Sequence, residues 1–338
     1  MRWIMLTPVS GAVDGSGDGR RGPPLAAGTG PRVLLTGGSG FIGARTIGPL
    51  LAAGFEVHAL GRRSGSSADV TWHAVDLLDD AAVAGVVGEI AAEHMLHLAW
   101  CTEHGRFWSA PENLSWVAAS VRLLRAFHEA GGRRAVMAGT CAEYDWNGSE
   151  ESCRELAHGS LPATPTHPAT LYGTAKHATQ LVASAYAREV GMSFAWGRVF
   201  LLYGPGEDER RLLPHIATAL LAGREAETSD GTQIRDLLHV DDVARGFAAL
   251  LASAVEGPVN VASGEGVALA RVIELVGRVA GRPELLRMGA LARRGGEPER
   301  LVADTRRLRE EVGYRGEVEL EQGIADAVTW WRERLASR

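Results

Sequence analysis

The 338-residue sequence has little of what marks several other classes of protein. Its three cysteines, at positions 101, 141 and 153, are odd in number and lack metal-ligand spacing, so we expect neither a disulfide framework nor a metal site. It contains no uninterrupted apolar run of about 18 residues, which excludes an ordinary membrane-spanning helix. The formal net charge is −6, so the sequence lacks the excess of basic residues that is typical of nucleic-acid binders. The first residues do not resemble an export signal, and we expect a cytoplasmic protein.

Lysine is almost absent. Of 35 basic residues, 34 are arginine and one is lysine, Lys176. This bias indicates that position 176 needs a property that arginine lacks.

The chain alternates between two kinds of segment. Residues 1–30 are rich in Gly, Pro and Ser and are interpreted as a disordered tail or a misassigned start. Beyond them, short β-rich runs alternate with segments of helical apolar spacing. The predicted strands are 32–36, 56–60, 70–74, 95–99, 135–138 and 193–199, and the predicted helices are 42–53, 81–92, 112–129 and 170–189. This order predicts an α/β fold, a Rossmann-type doubly wound parallel sheet.

The pattern loosens after Phe200. We predict that residues 31–200 form a dinucleotide-binding domain and that 201–237 and 264–338 form a smaller C-terminal substrate-binding domain. A helix over 240–253 and a strand over 259–261 indicate that the chain re-enters the first domain at about 238–263.

A glycine-rich turn follows the first predicted strand and opens the first predicted helix. Gly37, Gly40 and Gly43 have G-x-x-G-x-x-G spacing, with Phe41 and Ile42 in the same turn. Residues without Cβ atoms let the backbone approach a pyrophosphate, and a helix N-terminus supplies N–H donors. The alternative is a tight turn without a ligand.

The second and third strands end in residues that suit an adenosine. Arg62 and Arg63 stand where an acidic residue would read a free ribose 2′-hydroxyl, so NADP(H) is favoured and NAD(H) remains possible. The alternative is that both arginines are only solvated. Asp76 and Leu77 follow the third strand, where Asp76 either approaches the adenine or caps a helix.

Tyr172 and Lys176 form a Y-x-x-x-K pattern. On a helix these positions share one face, so an ammonium can lower the pKa of the phenol and bond the nicotinamide ribose. The alternative is an unrelated surface tyrosine and lysine.

These motifs together resemble the extended short-chain dehydrogenases/reductases, of the nucleotide-sugar epimerase, dehydratase and reductase kind. Four further stretches are similar to motifs of that family: 138–144, 198–206, 233–244 and 260–264. The resemblance runs from about residue 32 to 332 and is specific for the family, not for a substrate.

The resemblance implies roles for individual residues. Thr140 would hold the reacting oxygen beside Tyr172, with Lys176 completing the catalytic set. Arg235 would contact the diphosphate of the substrate, unless it forms a salt bridge with Asp241 or Asp242. Other implied contacts are Leu98 and Ala99 to the cofactor, and Trp100, Cys141 and Tyr203 to the substrate, with Tyr203 lining the cleft.

Departures from the family pattern narrow the activity. The 4,6-dehydratases of the family carry Asp-Glu where this chain has Cys141-Ala142, so dehydration is not expected. The 3,5-epimerases carry a cysteine at the position of Ala142, so Cys141 is interpreted as a packing residue rather than a catalytic one. Glu143 stands where valine is usual, and the sequence does not explain it.

The loop 100–108 holds three aromatic residues, which either shape a substrate pocket or form a hydrophobic lid. The first expectation for function is NADPH-dependent reduction of a keto group on a nucleotide-activated sugar. The alternatives are a redox-neutral nucleotide-sugar 4-epimerase and a catalytically inactive NADP-sensing regulator. Because the family pairs the helices 112–129 and 170–189 between subunits, the resemblance implies a homodimer; no nucleic-acid or membrane partner is expected.

Overall fold

The computed structural model describes residues 30–63, 65, 67–146, 153–155, 163–293 and 295–337. The predicted N-terminal tail, apart from residue 30, lies outside the described residues.

Seven strands form one sheet in which all pairs are parallel. They are β1 (Arg32–Thr36), β2 (Glu56–Gly61), β3 (Val70–Ala74), β4 (His94–His97), β5 (Arg134–Thr140), β6 (Ser193–Val199) and β10 (Gly257–Val261). The order across the sheet is β10-β6-β5-β4-β1-β2-β3, which is the doubly wound arrangement expected from the sequence. Strand β4 ends at His97, so Leu98 and Ala99 lie in the loop after it rather than in the strand.

Eight α-helices accompany the strands in the described part of the chain. They are α1 (Gly43–Ala52), α2 (Asp80–Ile90), α3 (Glu112–Glu129), α4 (Leu171–Val190), α5 (Leu212–Leu221), α6 (Val240–Ala252), α7 (Leu269–Ala280) and α8 (Leu320–Ala336). None of them is long and apolar enough to span a membrane.

Both faces of the seven-stranded sheet are covered. Along β1, Val33 and Leu35 join the core cluster on the side of α1 and α6, whereas Leu34 joins the cluster on the side of α2, α3 and α4. A strand alternates its side chains between faces, so burial on both sides requires the nearly continuous apolar run seen in the sequence.

A third hydrophobic cluster lies among α5, α7 and α8. The short strands beside it are β7 (Leu201–Tyr203), β8 (Ala226–Thr228), β9 (Ile234–His239), β11 (Gly266–Ala268), β12 (Leu286–Met288) and β13 (Arg300–Leu301). Strand β9 pairs with β7, β11 and β13, and β8 pairs with β12. The division into domains at 201–237 and 264–338 remains our proposal.

The buried carboxylate of Asp236 fastens the C-terminal segments together. It accepts hydrogen bonds from the backbone N–H groups of Ser263 (2.9 Å), Gly264 (2.9 Å) and Ala303 (3.1 Å). Each bond satisfies a backbone donor at a strand end, so Asp236 has a structural role.

Candidate active site

The predicted site residues converge at the carboxyl ends of β1, β4 and β5. The glycine turn follows β1, Trp100 lies just beyond β4, and Thr140 ends β5. Strand order reverses between β1 and β4, and ligands of open α/β sheets bind outside the strand ends at such a point.

The backbone of the glycine turn leaves no space for side chains at two of its glycines. Gly37 has φ +75°, and a Cβ atom there would lie 2.9 Å from the backbone nitrogen of Ala99. A Cβ at Gly43 would lie 2.0 Å from the carbonyl oxygen of Gly37. Among the described residues, no side chain caps the N-terminus of α1 at Ile42. The uncapped backbone N–H groups at the start of α1 and the glycine backbone without side chains fit a dinucleotide pyrophosphate.

The side chains predicted to meet the adenosine are accessible. Arg62 and Arg63 are exposed, and neither makes an ion pair or a hydrogen bond within the described part of the chain. Asp76 is exposed and its carboxylate accepts from the N–H of Leu78 at 3.1 Å. The helix-cap alternative for Asp76 is wrong, because Asp79 caps α2. Leu77, by contrast, is packed in the core.

His97 is a neutral core histidine. Its ring nitrogens lie 2.7 Å from Thr36 Oγ1 and 2.8 Å from Ser120 Oγ. Burial, with a smaller contribution from Lys176, lowers the pKa of His97 to about 3. Thr36 Oγ1 also accepts from the N–H of Ala99 at 3.2 Å, so this chain of hydrogen bonds fixes the loop after β4.

Thr140 and Tyr172 are brought together by two elements. Thr140 caps the short 3₁₀ turn Cys141–Glu143, and its Oγ1 accepts from the N–H of Ala142 at 3.2 Å. Tyr172 lies in the first turn of α4, where its phenol is buried and the nearby Thr140 side chain favours the ionised form of the phenol. A Cβ at Gly173 would lie 2.3 Å from the carbonyl oxygen of Ala142, so glycine at 173 permits this close approach.

The Lys176 ammonium contacts a backbone carbonyl and an aromatic ring. Its Nζ donates to the carbonyl oxygen of Ala138 at 2.8 Å and lies 3.9 Å from the centre of the Trp100 ring. Burial raises the pKa of Tyr172 above its ordinary range, although the Thr140 side chain acts in the opposite direction. Burial thus opposes the lowering of the phenol pKa that the sequence predicts, and the phenol is neutral in this structure. The effect of Lys176 on the phenol stays a prediction.

Lys176 itself is strongly perturbed. Burial lowers its pKa to about 7, against the charge of Glu143, which raises it. A buried ionisable group with a pKa near 7, close to the carboxyl ends of parallel strands, is typical of a functional site.

Aromatic side chains of the loop after β4 contact Tyr172. The rings of Phe107 and Trp108 meet the Tyr172 ring edge to face, with centroid distances of 4.9 and 5.8 Å. Trp108 also lies 6.1 Å from Trp146, and its carbonyl oxygen accepts from the Tyr172 N–H at 3.1 Å. The loop is thus attached to the N-terminus of α4 and forms part of the site.

The structure explains Glu143. Its side chain is fully buried and accepts hydrogen bonds from the N–H of Thr140 at 2.8 Å, from Trp196 Nε1 at 2.9 Å and from Arg198 Nε at 2.8 Å. Sequence reasoning missed this group because its charged partner is on β6, 55 residues away.

Two residues expected at the substrate are packed inside the protein. Cys141 joins a small apolar cluster with Tyr144 and Phe200, and burial keeps its thiol protonated by raising its pKa. The Tyr203 ring packs against the His239 ring. Its Oη lies so close to Gly323 that a Cβ atom added to that glycine would be 2.5 Å from it. The prediction that Tyr203 lines the cleft is therefore wrong: its ring belongs to the core of α5, α7 and α8.

Arg235 is also buried. Its guanidinium donates to the carbonyl oxygen of Pro298 at 2.8 Å and lies 3.4 Å from Glu297 Oε2. The alternative salt bridge is wrong, because Asp241 pairs with Arg45 and Asp242 with Arg245. Contact with a substrate diphosphate stays a prediction.

Glu207 is a further buried carboxylate that the sequence did not single out. It follows the Tyr203–Gly206 turn, and its Oε2 has no hydrogen-bond partner among the described residues. Burial raises the pKa of this carboxyl to about 8, so it is neutral near pH 7. The sequence signal that could have pointed to Glu207 is its position directly after the Tyr-Gly-Pro-Gly motif at 203–206.

The comparisons with known proteins cover most of the chain. UDP-glucose 4-epimerase 4 of Oryza sativa subsp. japonica is 27% identical over 352 residues, which span 90% of this chain and 91% of that protein. Among solved structures, the UDP-glucose 4-epimerase of Thermus thermophilus in complex with NAD has a TM-score of 0.73 at 28% identity and covers 89% of this chain and 99% of its own. DesIV, a dTDP-glucose 4,6-dehydratase of Streptomyces venezuelae with NAD bound, has a TM-score of 0.78 at 25% identity and covers 90% of this chain and 98% of its own.

One family model matches residues 33–262, which include the glycine turn, Thr140, Tyr172 and Lys176. The model is that of the NAD dependent epimerase/dehydratase family, and this chain belongs to that family.

Proposed function

We propose that the protein interconverts two epimers at carbon 4 of a nucleotide-activated sugar, with a tightly held nicotinamide cofactor. The observation that carries the proposal is the buried Thr140–Tyr172 hydroxyl pair beside Lys176, in a site with no carboxylate at positions 141 and 142. This arrangement suits proton exchange at a single carbinol and lacks the acid–base pair of a dehydratase. The 4-epimerases among the relatives, which match nearly end to end, support this choice.

The cofactor would be held by the residues around the sheet edge. The glycine turn would bind its pyrophosphate, the ends of β2 and β3 its adenosine, and the loop after β4 its nicotinamide riboside. The residues that would make these contacts are Gly37, Gly40, Phe41, Ile42, Gly43, Arg62, Arg63, Asp76, Leu98, Ala99, Tyr172 and Lys176. When bound, the nicotinamide would supply reversible two-electron chemistry at the sugar carbon.

The protein's own residues manage the proton. Thr140 orients the reacting oxygen of the sugar, and Tyr172 exchanges a proton with that oxygen as it changes between alcohol and carbonyl. The Tyr172 side chain is buried and its ring packs against Phe107 and Trp108, so little of it is open to water. Lys176 supplies a positive charge one helical turn further along α4.

Net reduction of a keto sugar with NADPH is the second candidate. Two observations favour it: the exposed Arg62 and Arg63 suit the 2′-phosphate of NADP(H), and the resting Tyr172 is a neutral phenol, the form that donates a proton to a carbonyl.

One experiment separates the candidates. Purified protein is incubated with UDP-, dTDP-, GDP- and CDP-sugars, including 4-keto sugars, with NAD⁺, NADH or NADPH, and products are identified by NMR while the absorbance of reduced cofactor is recorded. The epimerase interconverts two sugars with no net change in absorbance. Consumption of one NADPH per product would make the protein a reductase. Cofactor binding without turnover of any sugar would leave the regulator as the function.

A further inference from the structure

The ammonium group of Lys176 occupies an aromatic pocket. The Trp100 ring centre lies 3.9 Å from Nζ and the Trp196 ring centre 5.9 Å away. Within the described ranges, one protein acceptor, the carbonyl oxygen of Ala138, bonds Nζ at 2.8 Å. An ammonium has three N–H donors and would bind several water molecules if it were exposed. In this buried position the indole face takes the place of much of that water.

The Trp100 indole is fixed on its opposite edge. Its Nε1 donates to Oδ1 of Asn113 at 2.8 Å. Asn113 is completely buried at the start of α3, and its Nδ2 donates to the carbonyl oxygens of Phe107 and Ala110, each at 2.8 Å. Trp116 stacks on the indole at 6.0 Å. The indole N–H and the Asn113 amide are thus satisfied by buried partners, so the ring has one defined position.

Few charges face Lys176 directly. From the 3₁₀ turn, Glu143 favours the ammonium form, although Arg198 neutralises this carboxylate. His97 on β4 is neutral, and Tyr172 lies one turn earlier on α4 as a neutral phenol. No free carboxylate contacts Lys176 among the residues that the structure describes. The groups that directly contact its charge in this buried position are the Ala138 carbonyl oxygen and the Trp100 ring face.

We propose that Trp100 is a positioning residue for Lys176, whose ammonium it holds charged and in place at the carboxyl edge of the sheet, and that Asn113 fixes the indole for this task. The inference rests on the proposed function for its catalytic meaning, because a charged lysine is needed beside Tyr172 and the cofactor ribose. Its test needs no substrate. A residue that served only to fill space would be replaceable by an aliphatic side chain, whereas a cation holder requires the face of an aromatic ring.

The single lysine of the chain makes the titration direct. Protein labelled with ¹³C-lysine gives one side-chain Cε signal, and its shift with pH reports the pKa of Lys176. We expect a value of about 7 in the wild type. Trp100→Leu should lower it by about one unit, since a desolvated ammonium loses its aromatic partner. Trp100→Phe keeps an aromatic ring face, so the pKa of Lys176 in this variant should stay near the wild-type value. Trp116→Leu, which removes the ring stacked behind Trp100, is the matched control and should also leave the titration unchanged.

Cofactor affinity is the second readout. Near pH 7, Trp100→Leu should weaken binding of NAD⁺ and NADP⁺ on the order of tenfold by isothermal titration calorimetry. Trp100→Phe and Trp116→Leu should change it much less.

Should Trp100→Leu fail to fold, difluorotryptophan can replace tryptophan throughout the wild type and the Trp100→Phe variant. Fluorine weakens the negative face of the ring with little change of shape, so the Lys176 pKa should fall more in the wild type than in Trp100→Phe. Equal Lys176 titrations in Trp100→Leu and the wild type, or equal effects of fluorination in both backgrounds, would overturn the proposal. If instead no sugar is turned over but the titrations shift as expected, the proposed function fails and the role of Trp100 stands.

Discussion

Glu143 and Arg198 form an ion pair inside the protein, with Arg198 Nε 2.8 Å from Glu143 Oε2 and the two side chains 0% and 3% exposed. The same carboxylate accepts from the N–H of Thr140 at 2.8 Å, so the pair holds the turn that presents the Thr140 hydroxyl. Arg198 continues the network to Gln180 on α4 at 2.9 Å. The end of β5 and the helix that carries Tyr172 are therefore joined by one buried charge pair.

Glu143→Gln should strongly destabilise the protein. The amide keeps the shape of the side chain but leaves the Arg198 guanidinium buried without a counter-charge, and breaking such a pair costs about 3–5 kcal/mol. Urea denaturation followed by circular dichroism gives the free energy of unfolding. The matched control is Glu103→Gln, which breaks an exposed ion pair with Arg106 and should change stability little. A loss in Glu143→Gln no larger than that of the control would show that the buried pair is not important for stability.

Tyr172→Phe should abolish most turnover. The variant keeps the ring and its contacts with Phe107 and Trp108 but loses the proton donor, so kcat should fall roughly 10²–10⁴-fold. Cofactor binding, measured by calorimetry, should stay near the wild-type value. Turnover unchanged in Tyr172→Phe on an identified sugar would remove Tyr172 from the mechanism.

Cofactor choice should depend on the end of β2. Because Arg62 and Arg63 are exposed and free of protein partners in the described residues, both can pair with a 2′-phosphate. We expect tighter binding of NADPH than of NADH and loss of this preference in the Arg62→Ala, Arg63→Ala double variant. Arg224→Ala, another exposed arginine, serves as the control. A preference for NADH in the wild type, or an unchanged preference in the double variant, would rule out the assignment.

The protein should be a homodimer that pairs through α3 and α4. Helices α3 and α4 pack side by side and leave Leu114, Leu181 and Val182 exposed at 63%, 56% and 48%. Exposed apolar groups on neighbouring helices suit a subunit interface. Light scattering should give twice the chain mass, and Leu181→Glu with Val182→Glu should give the single chain mass.

Leu291→Glu is the control for this pair, because Leu291 is 49% exposed in the C-terminal part of the chain and lies outside these helices. It should leave the dimer intact. A wild type of single chain mass at micromolar concentration would contradict the prediction.

The sheet and its helices could be predicted because their signals are local. Strands 70–74 and 193–199 and helix 112–129 agree with the structure to the residue, since each is a continuous apolar or helical pattern bounded by turn residues. The short strands β8, β11, β12 and β13 have two or three residues each and carry no periodic signal, so the sequence did not predict them.

Side-chain environments depend on partners far along the chain. Tyr203 looked like a cleft residue from its motif, but Gly323, whose missing side chain makes room for its phenol, lies in α8. The Lys176 ammonium was expected beside Tyr172 on one helical face, and instead Trp100 and Ala138 hold it. Spacing on one helix determines which residues are neighbours, but it does not determine which group the end of a long, flexible side chain contacts.

Glu207→Gln should stabilise the protein at pH 8 and not at pH 5. The folded-state pKa of Glu207 is about 8, above its ordinary value of 4.5, because the carboxyl is buried without a partner for Oε2 among the described residues. The folded state therefore holds a proton that the unfolded state has released, and this group reduces stability progressively as pH rises from about 4.5 to 8. Since glutamine does not ionise, the variant should gain on the order of 1–3 kcal/mol over the wild type at pH 8. Thermal denaturation at both pH values measures this, with the exposed Glu227→Gln as the control. An equal effect of Glu207→Gln at pH 5 and pH 8 would mean that Glu207 ionises in the folded protein as readily as in the unfolded chain.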